Sequence, residues 1–158
     1  MKKEVKIYQG DITQLKVDAI VNAENTTLLG GGGVDLAIQK KKKKKLLEAT
    51  REIGGANTGE AKITKGFSLP AKHIIHAVGP VYYGGVKGEA NLLKSCYENS
   101  LQLAEENKVK TIAFSAISTG VYGYPIEEAT NIAVSTIVNN LEHLKFVEKI
   151  IFVVFNDE

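Results

Sequence analysis

The sequence has little of what marks secreted, membrane-spanning or metal-binding proteins. Its single cysteine, Cys96, cannot form an internal disulfide, which agrees with a reducing cytoplasm. No apolar run approaches the roughly 20 residues that a membrane helix needs, and the first five residues lack the apolar core of a signal peptide. The three histidines, at 73, 76 and 143, are too scattered for a zinc site. We therefore expect one cytoplasmic domain over residues 1–158, with no metal, no cofactor and no membrane contact.

Positive charge is concentrated in one short segment. The formal net charge of +2 includes the six consecutive lysines of Lys40–Lys45, and without them 14 basic residues face 18 acidic ones, a net charge of −4. Arg51 is the only arginine. A nucleic-acid-binding protein usually spreads basic residues over one face, so no specific nucleic-acid binding is expected. The lysine run is interpreted as a solvated loop, with binding to an anionic surface as the functional alternative.

Hydrophobic periodicity predicts strands that alternate with helices. Short apolar or alternating segments predict strands at 5–9, 19–23, 61–67, 73–78, 111–115 and 149–155. Helical spacing predicts helices that begin near Val34, cover 89–107, and run from Pro125 to Leu141. Such alternation favours a mostly parallel sheet with helices on both faces. Cys96 lies on the apolar face of the second helix, so it is predicted to be a core residue rather than a nucleophile.

Two glycine-containing loops follow predicted strands. The first, at 22–35, reads NAENTTLLGGGGVD, and the second, at 116–125, reads AISTGVYGYP. Ligands bind at the carboxyl ends of the strands in such sheets, glycine permits close backbone approach, and a helix N-terminus favours anions such as phosphate. Both loops are therefore predicted to bind a ligand. A third segment, GGANTGE at 54–60, lacks the lysine and hydroxyl residue of a phosphate-binding P-loop and is interpreted as a turn.

Taken together, these segments resemble the macro domain family. The matching motifs are GDIT (10–13), VDAIVNA (17–23), GGGGVD (30–35), TGEA (58–61), the HAVGP of 76–80 and ISTGVYGYP (117–125), in the family's order. The resemblance implies a three-layer α/β/α sandwich around a mixed, mostly parallel six-stranded sheet. It also implies ADP-ribose as ligand and hydrolysis of ADP-ribosyl esters, either on protein Asp and Glu residues or in O-acetyl-ADP-ribose. ADP-ribosylated proteins and the ends of poly-ADP-ribose chains are the implied partners, and a monomer is expected.

The resemblance also assigns ligand contacts to residues. Asp11 would accept a hydrogen bond from the adenine amino group, Asn25 would hold the distal ribose, and the second loop would wrap the diphosphate with backbone amides. The glycine-rich segment would line the distal ribose and one phosphate, and the end of the last strand would flank the adenine. The implied ligand-binding set is Asp11, Ile12, Asn25, Gly31, Gly32, Gly33, Val34, Ser118, Thr119, Gly120, Val121, Tyr122, Phe155 and Asn156.

Asn25 and Asp35 are the implied catalytic residues. Asp35 would orient or deprotonate a water molecule while Asn25 fixes the sugar. The sequence departs from the family pattern at Glu24, where the family usually has alanine, and at Gln39 and the following lysines, where it usually has histidine, a basic residue and small residues. A non-catalytic ADP-ribose reader is therefore the alternative function.

Several of these residues also have structural interpretations. Asp11 after a strand is also typical of a turn cap. Asn22 lies at a strand end, where asparagine is often a structural hydrogen-bonding residue. Tyr122 and Tyr124 could serve only to pack their loop. Asp35 in the first turn of a helix is favoured by the helix dipole in either case.

Overall fold

The computed structural model describes residues 3–28, 44–67, 69–119 and 122–154. Two short 3-10 helices, Ile12–Gln14 and Leu141–His143, accompany the main elements. No helix in these ranges is long and apolar enough to cross a membrane. The strands and α-helices of the described ranges are β1 (Glu4–Gln9), β2 (Ala19–Glu24), α1 (Lys44–Ile53), β3 (Ala61–Lys65), β4 (His73–Val78), α2 (Glu89–Glu106), β5 (Thr111–Phe114), α3 (Ile126–Asn140) and β6 (Lys149–Val154).

The six strands form one sheet in the order β1-β6-β5-β2-β4-β3. All neighbouring pairs are parallel except β3 and β4, which are antiparallel. A short connection at 66–72 suffices for the antiparallel pair, whereas parallel neighbours need longer crossovers. The predicted mixed, mostly parallel α/β sheet is confirmed.

Some strand boundaries differ from the sequence prediction. The strand predicted over 61–67 ends at Lys65, because Gly66 N–H donates to the Lys72 carbonyl at 2.8 Å and Phe67 turns the chain with φ +55°. The strand predicted over 111–115 ends one residue early at Phe114, whereas the one predicted over 19–23 extends to Glu24, which pairs with Val78.

The predicted helices also shift at their ends. The helix predicted over 89–107 ends at Glu106, since Asn107 caps it by donating to the Leu103 and Ala104 carbonyls. The third helix begins at Ile126, after Pro125 as N-cap, and ends at Asn140. The start predicted near Val34 lies outside the described residues, as does most of the lysine run; the last two lysines of that run begin α1.

Successive strand residues point to opposite faces of the sheet, and their apolar side chains contribute to two clusters, one on each face. The larger cluster packs Val21, Ile75 and Phe114 against α2 and α3, and the smaller one packs Ile20 and Ile74 with Ile12, Leu69 and Ala71. Cys96 in α2 is fully buried, and its Sγ donates to the Val78 carbonyl at 3.1 Å. Burial raises the pKa of this thiol to about 12. The prediction that Cys96 is a core residue is confirmed.

The parallel pairings place five strand ends on one edge of the sheet. Gln9 pairs with Val154, and Glu24 pairs with Val78, so the carboxyl ends of β1 and β6, and of β2 and β4, lie side by side. The carboxyl end of β5 lies between β6 and β2. The chain leaving each strand therefore starts from a common edge, which we call the carboxyl edge.

Candidate ligand site at the carboxyl edge

Six of the predicted site residues fall within the described ranges. They follow β1, β2 and β5 at the carboxyl edge: Asp11, Ile12, Asn25, Ser118, Thr119 and Tyr122. The fold thus brings together three segments that are widely separated in sequence. The remaining predicted residues lie outside the described residues: Gly31, Gly32, Gly33, Val34, Asp35, Gly120, Val121, Phe155 and Asn156.

Asp11 is held by the turn that follows β1. Its Oδ1 accepts hydrogen bonds from the Thr13 amide at 2.9 Å and the Thr13 hydroxyl at 2.7 Å, and so caps the first 3-10 helix. The capping role is therefore present. Oδ2 accepts no hydrogen bond from the described part of the chain. A carboxylate has about four acceptor positions, so the cap orients Asp11 while Oδ2 can still accept from a ligand amine. Ile12 is buried beneath it in the smaller apolar cluster.

Asn25, the first residue after β2, is oriented by its own loop. Its Oδ1 accepts from the Thr27 amide at 3.1 Å and the Thr27 hydroxyl at 2.6 Å. Its carbonyl accepts from the amide of Leu28, a fully buried residue with φ +61°. A buried non-glycine residue in the left-handed region is held there by its surroundings. The position and direction of the Asn25 side chain are thus fixed before the glycine-rich segment begins.

A buried polar network lies directly beside Asn25. Glu24 Oε2 accepts from Asn22 Nδ2 at 2.6 Å and lies 2.5 Å from His76 Nδ1. His76 Nε2 is 2.9 Å from Thr64 Oγ1, which donates to the Lys65 carbonyl at 3.0 Å. Both ring nitrogens of His76 are therefore in hydrogen-bond contact, Nε2 with the Thr64 hydroxyl and Nδ1 with the Glu24 carboxyl group.

This network is structural and was missed by sequence reasoning. The structural interpretation of Asn22 is confirmed, since its side-chain amide donates a hydrogen bond to the buried Glu24 carboxyl group. Buried ionisable groups persist where partners and hydrogen bonds compensate the lost hydration. Glu24 and His76 lie in neighbouring strands with their side chains on the same face of the sheet, a relation that depends on the register of β2 against β4 and has no local sequence signal.

The loop after β5 is closed by backbone hydrogen bonds. Tyr124 N–H donates to the Ser118 carbonyl, and Tyr82 N–H donates to the Tyr122 carbonyl, both at 2.9 Å. Ser118 has φ +69° and is only 6% exposed. Left-handed residues in loops are typical of backbone concavities that bind anions. Tyr124 is buried, with its ring centroid 4.8 Å from that of Tyr82, so its packing interpretation is confirmed.

Gly79, after β4, supports this loop by having no side chain. A Cβ atom at Gly79 would overlap Ser118 Oγ and would lie 2.5 Å from Ile117 Cγ2. Glycine is therefore required here for close approach rather than for a positive φ angle. Thr119, the next predicted ligand residue, lines a cavity of about 140 Å³ between the ends of β5 and β6 and α3.

Glu89, the first residue of α2, organises the loop at 79–88 that adjoins this site. Its buried carboxylate accepts from the backbone amides of Tyr83 at 2.6 Å, Gly85 at 3.1 Å and Lys87 at 2.7 Å. Burial acts to raise the pKa of Glu89, but these hydrogen bonds outweigh it and hold the pKa below its ordinary value of 4.5. Glu89 is therefore anionic at neutral pH. Sequence reasoning missed this role, because nothing local signals it.

The first turn of α3 is acidic, with Glu127 and Glu128. These residues already complement the positive end of the helix dipole. The N-terminus of α3 is therefore less favourable for an anion. Among the described residues, no cluster of three or more His, Cys, Asp or Glu could hold a metal ion.

Comparison with known proteins shows which family this chain belongs to. The macro domain model matches residues 21–133. The chain is 60% identical over 153 residues to the macro domain-containing protein CT2219 of Chlorobaculum tepidum, covering 97% of this chain and 89% of that protein. The chain belongs to the macro domain family.

Two further relatives are named as enzymes. One is the O-acetyl-ADP-ribose deacetylase of Enterobacter cloacae, 48% identical over 162 residues, covering 100% of this chain and 90% of that protein. The other is the ADP-ribose glycohydrolase MACROD2 of Xenopus laevis, 52% identical, covering 97% of this chain but 37% of that longer protein. Among solved structures, the Trypanosoma brucei macrodomain in complex with ADP-ribose is 42% identical with a TM-score of 0.88, covering 95% of this chain and 63% of that one.

Proposed function

We propose that this chain binds ADP-ribose and hydrolyses ADP-ribosyl esters, either on protein Asp and Glu residues or in O-acetyl-ADP-ribose. The observation that carries the proposal is the arrangement at the carboxyl edge. There, an oriented Asp11, an oriented Asn25 and the closed loop after β5 follow strands that end on the same edge of the sheet of a macro domain. The names of the two enzyme relatives support hydrolysis.

The described residues are suited to binding the two ends of such a ligand. The Oδ2 atom of Asp11 would accept from the adenine amino group while Oδ1 holds the turn. Asn25, fixed through Thr27, would hold the distal ribose. The diphosphate would lie against the loop that begins at Ser118. Protein targets carrying ADP-ribose, and the ends of poly-ADP-ribose chains, are the partners that this arrangement suits.

Hydrolysis requires a positioned water molecule and a group that activates it. Asp35 is the predicted general base, and it would orient or deprotonate the water while Asn25 fixes the sugar. The added water would release free ADP-ribose and the carboxylic acid of the target, or acetate from O-acetyl-ADP-ribose. A positioned base contributes typically about 10²–10⁴-fold to the rate.

The test is release of free ADP-ribose from a target that is ADP-ribosylated on Glu or Asp. We expect turnover by the unmutated protein. The Asp35→Ala variant should lose about 10²–10⁴-fold in turnover and keep its ADP-ribose affinity, because the base acts on water rather than on the bound ligand. Asp35→Asn is the matched control for size and shape.

The reader function is the alternative outcome of the same experiment. A reader would bind the ADP-ribosylated target and release nothing. Calorimetry with ADP-ribose on the same preparation separates the two functions, since binding without turnover supports the reader and absence of binding rejects both.

A further inference from the structure

We propose that the loop at 79–88, here called the tyrosine loop, docks the polypeptide of an ADP-ribosylated protein substrate. The inference rests on the proposed function and names a surface for the part of the substrate that is not ADP-ribose. The loop joins β4 to α2 at the carboxyl edge. It presents apolar side chains to solvent beside the predicted diphosphate loop.

The position of the tyrosine loop follows from one backbone hydrogen bond. Tyr82 N–H donates to the Tyr122 carbonyl at 2.9 Å, and the two loops also meet through the Tyr82 and Tyr124 rings. Since consecutive Cα atoms are about 3.8 Å apart, the Cα atom of Tyr83 lies no more than about 8 Å from that carbonyl. The polypeptide is attached through the distal ribose, which is bonded to the diphosphate. A substrate whose diphosphate lies against the Tyr122 loop would therefore carry its polypeptide near Tyr83.

The tyrosine loop exposes three apolar or aromatic side chains to solvent. Val81 is 37% exposed, Tyr83 60% and Val86 80%. Lys87 is the only cationic residue of the loop. An anionic polymer would find little charge here, whereas apolar and aromatic side chains are typical of protein contacts, where tyrosine is enriched. The chemistry of the loop therefore fits a peptide better than a second nucleotide.

The tyrosine loop is also held in one conformation before any partner binds. The Glu89 carboxylate accepts hydrogen bonds from the alternate amides of Tyr83, Gly85 and Lys87. The Tyr82 amide donates to the Tyr122 carbonyl. A preordered surface loses less conformational entropy on binding.

The test compares one protein substrate with one small substrate. For a protein ADP-ribosylated on Glu, the double variant Tyr83→Ser/Val86→Ser should lower kcat/KM about tenfold or more, because KM rises. It should leave kcat/KM for O-acetyl-ADP-ribose within about twofold, because that substrate has no polypeptide to dock. Glu89→Gln removes the negative charge that holds the loop amides. It should therefore also lower kcat/KM for the protein substrate relative to kcat/KM for O-acetyl-ADP-ribose.

The matched control removes exposed apolar side chains elsewhere. Val138→Ser/Phe146→Ser changes exposed residues near the amino ends of the strands, and it should leave the ratio of the two substrates unchanged. Thermal unfolding verifies that each variant is folded. An equal effect of Tyr83→Ser/Val86→Ser on both substrates, or no effect on either, would overturn the inference. An unmutated protein that hydrolyses and binds neither substrate would instead reject the proposed function.

Discussion

Gly79→Ala is the most direct probe of how the sheet supports the ligand loop. The added methyl group would overlap Ser118 Oγ and lie 2.5 Å from Ile117 Cγ2. Both neighbours are buried, so neither side chain can turn into solvent, and the loop after β5 must shift. Inserting a methyl group into such a well-packed position costs about 1–3 kcal/mol. The free energy of unfolding, measured with denaturant, should fall by that amount.

The same change should weaken ligand binding. Ser118 begins the loop assigned to the diphosphate, and its carbonyl closes that loop by accepting from Tyr124. A loss of about 1.4 kcal/mol in ligand interactions is a tenfold loss of affinity. Calorimetry should therefore show ADP-ribose affinity reduced about tenfold or more in Gly79→Ala. Unchanged unfolding and unchanged affinity would refute the close packing of Gly79 against Ser118.

Two further variants separate steric collision from backbone strain. Gly84 has φ +80°, and no atom of the described residues lies within 4 Å of its added Cβ, so Gly84→Ala introduces strain without collision. It should cost about 1–2 kcal/mol in stability and leave ADP-ribose affinity intact. Ser118→Gly removes the overlapping hydroxyl at a position where φ +69° favours glycine. Combined with Gly79→Ala, it should restore part of the lost stability, and strict additivity of the two changes would contradict the predicted contact.

Two more predictions address the ligand and the fold. Asp11→Ala should weaken ADP-ribose binding by about ten- to a hundredfold, because a charge-assisted hydrogen bond contributes about 1.5–3 kcal/mol; equal affinity by calorimetry would reject the adenine contact. Burial acts to raise the pKa of Glu105, but hydrogen bonds from the amides of Val147, Lys145 and Phe146 outweigh it and hold the pKa below 4.5. The lowered pKa means that this stabilisation is present above pH 4.5 and is lost as pH falls through the folded-state value. Glu105→Gln should thus lower Tm at neutral pH, and a Tm difference that does not shrink in acid would contradict this assignment.

The sheet was predictable from sequence because its strands carry strong local signals. The segments at 73–78, 111–115 and 149–155 are short, apolar and bounded by turn residues, and each contains an observed strand. The ends were less predictable. Phe67 leaves the strand through a positive φ angle that its residue type does not signal, and Glu24 stays in the strand because its pairing with Val78 continues.

The polar contacts that shape the site were not predictable, because they join distant residues. Glu24 and His76 are 52 positions apart, and their contact depends on the register of β2 against β4. Glu89 is closer to its amide donors, but only the folded path of the loop turns alternate amides toward one carboxylate. Asp11 was predicted as both a cap and a ligand residue; the structure contains the cap, and the ligand contact stays a prediction.

These contacts explain how a chain that is acidic outside its lysine run can offer a site to a diphosphate. The Glu24 Oε2 atom accepts from Asn22 and contacts His76 Nδ1, so this buried carboxyl group has polar partners within the fold. The Glu89 charge is spread over three backbone amides. Uncompensated carboxylates at such positions would repel phosphate through the low-dielectric interior. The fold thus directs backbone donors at the buried Glu89 carboxylate, and the prediction that the amides of the loop after β5 bind the diphosphate requires no arginine.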